Sequence, residues 1–504
     1  MWLEWIYLLC LIGSLSNIKV EAAPEWARVG PLPNLNFKPT FAQYSGYLPV
    51  SNDNQLFYWF TLAYENATSA PVVLYLNGGP GCSSLQGILV EMGPYRVHDW
   101  GARVTENPYA WNRYANVIYL DAPAGVGYSM NTNSNFTFTD DQVAKDNAQA
   151  LKYFFTKLFP EFLPNDFYIG GESYGGYYIP MLAGQLIKDS FFTNFKGMFV
   201  GNGCLKDQLL VNGGIQYNYA HAFIDERYYT DAVTKCCPSG GSDTCNWYQY
   251  VNLDSSQKCA NESQTLYMAN FYTGLDPYFL YYSCYLDQPD GENHGFSQKL
   301  RRDNPMEVRR RHLWKRLGIR GSQTGKLPKD SLPECSHYHD YETWLNRDDT
   351  RKALHVPGKM QAYASCSRAV EENYITQIDD VSPYVQDVIA KGLKVMFFNG
   401  DVDSVCNVVH NQQFISQLNH KLLSPSTPWT FDVEEPNTAG LLTSYQGVDF
   451  LTVRGGGHFP ATAAQKPREA LQMFYNFMHG GNYSAAVPKL KRDIGKEAEL
   501  KLWI

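Results

Sequence analysis

The sequence predicts an α/β fold organised as a mostly parallel, doubly wound sheet with an inserted disulfide-rich cap. Three observations predict it. Short β-rich runs stand at 72–76 (VVLYL), 117–120 (VIYL), 167–169 and 198–200, each followed by Gly, Asn or Pro signals, and the pattern resumes at 394–398 and 450–453. Longer apolar patterns with helical spacing lie between them, at 143–159 and 178–188. Strands that alternate with helices need crossovers, which make parallel neighbours and put helices on the sheet faces. From about 204 to 335 the alternation gives way to Cys, Tyr, Asn and Ser, as expected of a segment inserted between two core strands.

Composition limits the partners. The 504 residues are 44% hydrophobic and only 18% charged, the opposite of the balance in disordered chains. The net charge of −8 argues against nucleic acid as main partner, because phosphate binding needs a basic face. The chain opens with an apolar run at 6–15, followed by small residues around Val20-Glu21-Ala22. That run is shorter than the roughly 20 residues a bilayer takes, so 1–22 is expected to be a cleaved signal peptide, with no membrane span elsewhere.

Secretory entry predicts disulfides and glycans. Of eleven cysteines, Cys10 leaves with the signal, and six of the rest crowd together: Cys236, Cys237, Cys245, Cys259, Cys284 and Cys335. Such crowding reads as a stapled, loop-rich insertion. Zinc is not expected, since no His lies at ligand spacing around Cys236 to Cys259, and no other metal or cofactor is called for. Sequons at Asn66, Asn135, Asn261 and Asn482 are candidate glycan sites. Residues 299–320 carry nine Lys or Arg, read as a solvated loop open to proteases. The expected organisation is a signal at 1–22, a first core part at 23–203, the cap at 204–335, a second core part at 336–485 and a charged tail at 486–504.

Chemistry begins at Gly171-Glu172-Ser173-Tyr174-Gly175, a G-x-S-x-G pattern directly after one expected strand and before a helix. A sharp strand-to-helix turn lifts a serine hydroxyl off the sheet edge, and the helix N-terminus favours developing negative charge. In an α/β-hydrolase fold the orienting acid and then the base follow in chain order. Downstream, Asn399-Gly400-Asp401-Val402-Asp403 follows one strand, and Gly455-Gly456-Gly457-His458 follows another. His458 is therefore the expected base, with Asp401 and Asp403 competing for the acid. The loop Asn77-Gly78-Gly79-Pro80-Gly81-Cys82-Ser83-Ser84 follows strand 72–76 and is suited to supply an oxyanion N–H alongside that of Tyr174.

Taken together, NGGPGCSS (77–84), GVGYS (125–129), GESYGG (171–176), GNG (201–203), NGDVD (399–403) and GGGH (455–458) resemble the serine carboxypeptidases, most of all the cathepsin A branch and its invertebrate relatives. The likeness runs from about Gln43 to about Phe477. It implies Ser173, Asp403 and His458 as the catalytic triad, with Asp403 taken as the second Asp of the pair, three residues before Cys406. It implies oxyanion donors at Gly79 and Tyr174, and recognition of the substrate's terminal carboxylate by Asn77, Gly78, Glu91 and Glu172. It also implies disulfides Cys82–Cys366, Cys236–Cys259, Cys237–Cys245 and Cys284–Cys335, leaving Cys204 and Cys406 unpaired. Two departures stand out. Tyr75 occupies a position where the family usually has Trp, with little change expected, and the run after His458 is longer than usual, which bears on side-chain preference.

Glutamates facing a carboxylate make sense once protonation is considered. Two carboxyls sharing a site cannot both ionise cheaply, so one keeps a proton and donates it. The expected protein is thus a serine carboxypeptidase releasing C-terminal residues from peptides through an acyl-enzyme at acidic pH, lysosomal or secreted. Acyl transfer or ester hydrolysis by the same triad, and a protective scaffold for partner glycosidases, are the alternatives. The resemblance leaves a homodimer open.

Overall fold

The computed structural model describes residues 24–238, 245–254, 256–273, 275–283, 338–431 and 437–493. The expected signal peptide, the run 299–320, Cys284 and Cys335, and the end of the charged tail lie outside the described residues.

In chain order the strands are β1 (Gln43–Pro49), β2 (Asn54–Thr61), β3 (Val72–Leu76), β4 (Tyr95–His98), β5 (Arg103–Glu106), β6 (Asn116–Leu120), β7 (Met130–Asn131) and β8 (Phe167–Ser173). They continue as β9 (Phe195–Gly203), β10 (Leu275–Asp276), β11 (Phe279–Ser283), β12 (Lys394–Gly400), β13 (Leu422–Phe431), β14 (Asn437–Tyr445) and β15 (Val448–Val453). One large sheet runs β1-β2-β6-β3-β8-β9-β12-β15-β14-β13, with β7 against β2. Its six central strands, β6 to β15, are parallel, and antiparallel strands close both flanks. This is the α/β-hydrolase arrangement the sequence predicts.

The central strands are continuous apolar runs because both of their faces are covered. Alternate side chains of β3 enter opposite cores: Val72, Leu74 and Leu76 on one face, Val73 and Tyr75 on the other. Val143 and Leu151 of helix Asp140–Tyr153, and Tyr177 and Leu182 of helix Gly175–Leu186, fill the first core. Ile88 of helix Leu85–Val90 and Phe474 of helix Pro467–His479 fill the second. The expected helix at 143–159 starts earlier, where the Thr139 side chain accepts from Gln142 N–H as N-cap. It also changes character after Tyr153: Phe154–Leu158 forms a π-turn, with Phe159 N–H bonded to Phe154 O at 2.9 Å.

Between β9 and β12 come helices Asp207–Ala220, Glu226–Cys236, Tyr248–Val251 and Ala260–Met268 and the β10–β11 hairpin, stapled by Cys236–Cys259 and Cys237–Cys245. The hairpin reaches back to the sheet: Leu280 N–H donates to Val402 O and Ser404 N–H to Pro277 O. Because the central strands all run the same way, the loops after β3, β8, β9, β12 and β15 gather at one edge, where ligand sites of open α/β sheets form.

Candidate active site

Ser173 ends β8 with φ 58°, a left-handed conformation that costs a non-glycine residue energy and persists only where its surroundings enforce it. Those surroundings are specific. Ser173 lies opposite Gly203 of β9, and its carbonyl accepts Cys204 N–H at 2.9 Å. On the other side the loop after β3 comes so close that a Cβ on Gly78 would stand 2.4 Å from Tyr174 N and 2.8 Å from Ser173 Cβ, so only glycine fits there. Helix Gly175–Leu186 begins immediately beyond.

The two candidate acids separate cleanly. Asp403 Oδ2 lies 2.7 Å from His458 Nδ1, and both side chains are fully buried. Asp401 instead accepts Gly455 N–H at 2.6 Å and closes the turn before His458. Asp403 is itself held: Asn202 Nδ2 donates to the same Oδ2 at 2.9 Å, and Val405 N–H donates to Oδ1 at 2.9 Å. With Nδ1 facing a carboxylate, the neutral imidazole leaves Nε2 as its acceptor, and this atom is buried with no hydrogen-bond partner among the described residues. The β10–β11 hairpin supports the ring, since His458 N–H donates to Tyr278 O at 2.7 Å and the Tyr278 ring meets the imidazole edge-on at 4.7 Å.

One expectation is corrected. Cys204 and Cys406 are not free but form a disulfide, with Cα atoms 5.2 Å apart. They follow β9 and β12, which pair directly, so adjacent strand ends bring them together. Cys82 is bonded to Cys366. Cys236, Cys259 and Glu262 come close enough to suggest a metal site, yet both sulfurs are spent in a disulfide and offer no thiolate. All four sequon asparagines are exposed.

Beside Ser173 sits a buried carboxyl pair. Asn77 Nδ2 donates to Glu91 Oε1 at 2.8 Å and also to Glu172 Oε1, so a single amide bridges both groups. Tyr75 Oη donates to Glu172 Oε2 at 2.8 Å and lies 3.4 Å from Glu91 Oε2. Behind Glu91, the Arg96 guanidinium donates to the Glu91, Tyr95 and Ala461 carbonyls. Burial lowers its pKa to about 9, against the pull of Glu91. Sequence reasoning gave no role to Arg96, Asn202 or the Tyr75 hydroxyl. Asn202 left a trace, since it lies inside the GNG run and takes a positive φ there.

The family model described as serine carboxypeptidase matches residues 33–480. The chain belongs to the serine carboxypeptidase family. Serine carboxypeptidase ctsa-4.1 of Caenorhabditis elegans is 38% identical over 474 residues, covering 92% of this chain and 96% of that protein. The lysosomal protective protein of Mus musculus is 34% identical, covering 94% and 98%. The crystal structure of a prohormone-processing carboxypeptidase, Kex1(delta)p from Saccharomyces cerevisiae, superposes with a TM-score of 0.68 at 20% identity, over 90% of this chain and 96% of that one, which establishes the shared fold. This serine carboxypeptidase is a hydrolase of the exopeptidase type. No helix among its described residues is long and apolar enough to cross a membrane.

Proposed function

We propose that the enzyme releases C-terminal residues from peptides through an acyl-enzyme in an acidic lumen, with Ser173, His458 and Asp403 as its triad. The observation that carries this reading is the Asn77-bridged Glu91–Glu172 pair next to the nucleophile. Ser173 Oγ attacks the last peptide carbonyl while His458 Nε2 takes its proton, and Asp403 holds the imidazole in the required tautomer. The N–H groups of Gly79 and Tyr174 stabilise the oxyanion. The C–N bond then breaks as His458 returns the proton to the departing amino acid, and water repeats the sequence on the ester.

The carboxyl pair supplies exopeptidase selection. In its singly protonated form it donates a hydrogen bond to the terminal carboxylate, with Asn77 and Gly78 beside it. Losing that proton leaves two anions facing a third, so binding weakens as pH rises. The likeness to a lysosomal relative, the disulfides and the exposed sequons support a lysosomal or secreted, glycosylated protein. The test is cleavage of an N-blocked dipeptide library across pH by wild type and Ser173→Ala. Release of single C-terminal residues, strongest in acid and absent from the variant, is expected; equal cleavage of the same dipeptides with an amidated C-terminus would overturn the exopeptidase reading.

A further inference from the structure

We infer that Tyr75 is a positioning residue for this reaction: its hydroxyl sets the pH at which the Glu91–Glu172 pair loses its shared proton, and so the upper pH limit for binding substrates with a free C-terminus. The inference rests on the carboxylate-binding role proposed above for the pair and deepens it.

Two donors meet the four carboxyl oxygens from different sides. Asn77 Nδ2 bridges the two Oε1 atoms, while Tyr75 Oη sits against the two Oε2 atoms, closer to Glu172 (2.8 Å) than to Glu91 (3.4 Å). A phenol has one proton to give, so Glu172 receives it, and a hydrogen bond to the charged form of an acid favours ionisation. Burial, then Glu172 and Glu91, push the Tyr75 pKa well above its ordinary 10, so the hydroxyl remains a donor throughout the working range. The ring is fixed on β3, edge-on to Trp111 at 5.9 Å. Two further ionisable groups approach the pair, Arg96 of β4 and Tyr119 of β6, both interacting with Glu91. The two terminal guanidinium nitrogens of Arg96 donate to main-chain carbonyls, whereas Tyr75 donates directly to a carboxyl oxygen of Glu172.

The test is Tyr75→Phe, which removes one oxygen, assayed over pH with a free-acid peptide and a C-terminally blocked ester. Deleting a donor to the ionised form raises the proton affinity of the pair. The rise of KM for the free acid should therefore move to higher pH by about one unit, as expected for one charge-assisted hydrogen bond. The ester profile and kcat should not move. Placed on Glu172→Gln, the same change should have little effect, and 3-fluorotyrosine at position 75, a stronger donor, should shift the limit downward. A merely structural role would lower both substrates equally at every pH, and that result, or an unmoved KM profile with either replacement, overturns the inference. Glu91→Gln with Glu172→Gln separates the two claims. If that variant leaves free acid and ester alike, the carboxylate-binding reading fails; if it distinguishes them and Tyr75→Phe does not, only the role of Tyr75 fails.

Discussion

Asp401 and Asp403 are two residues apart and share a loop, but they meet different partners. Asp403 faces His458 Nδ1, so Asp403→Asn presents an amide that favours the wrong tautomer, and kcat should fall about 10³–10⁴-fold. Asp401→Asn only weakens a turn at Gly455 N–H and should keep most of the activity. Steady-state kinetics on both folded variants checks this, and equal losses would contradict the assignment. Asn202→Ala removes one donor from Asp403 and should cost about 10-fold or more in kcat, the scale of a hydrogen bond to a charged group, with KM little changed. The sequence offered both aspartates without deciding between them, because turn chemistry and triad chemistry favour the same residue type in the same loop. Tyr75 was legible only as a retained aromatic, since no local pattern reveals what a hydroxyl meets across the sheet.

At the scale of elements, the Cys204–Cys406 bond ties the end of β9 to the loop that carries Asp403, while Cys204 N–H holds the Ser173 carbonyl. Replacing both cysteines by serine should lower stability by about 2–4 kcal/mol and reduce kcat more than it raises KM. Thermal unfolding and kinetics of the double variant provide the check; unchanged melting would contradict the clamp. The central strands were readable because burial on both faces makes them short apolar runs bounded by turn residues. The flanks were not. β13 (LLSPSTPWTF) is largely exposed and carries Pro425 and Pro428, residues tolerated where a strand's N–H groups face solvent, so it lacks the apolar signature. β1 breaks its apolar pattern with Ser45 and Gly46, and only pairing with β2 makes it a strand. The disulfide between Cys204 and Cys406 was hidden for the same reason: their 202-residue separation closes only through strand adjacency.

For the whole molecule, the acidic working range proposed above would have a cost in stability. His410 is fully buried, its Nε2 lies 3.4 Å from Leu205 N as an acceptor, and burial lowers its pKa from 6.5 to about 3. Its contribution to stability is complete above pH 6.5 and is lost as pH falls toward 3, because the unfolded chain binds the proton first. Between neutrality and about pH 5 this amounts to roughly 2 kcal/mol, and His410→Asn should flatten the fall in stability over that interval, measured by denaturant unfolding at both pH values. An unchanged slope would mean that His410 does not stay neutral. The central claim is that a carboxyl pair selects the free C-terminus, and its most direct test compares a free-acid peptide with a C-terminally blocked ester on wild type and the Glu91→Gln, Glu172→Gln double variant. Folding and triad protonation then act equally on both substrates. Wild-type kcat/KM for the free acid should fall toward neutrality while that for the ester does not, and the double variant should hold more of its own free-acid activity as pH rises. Parallel profiles for the two substrates, unaltered by the double substitution, would contradict the account.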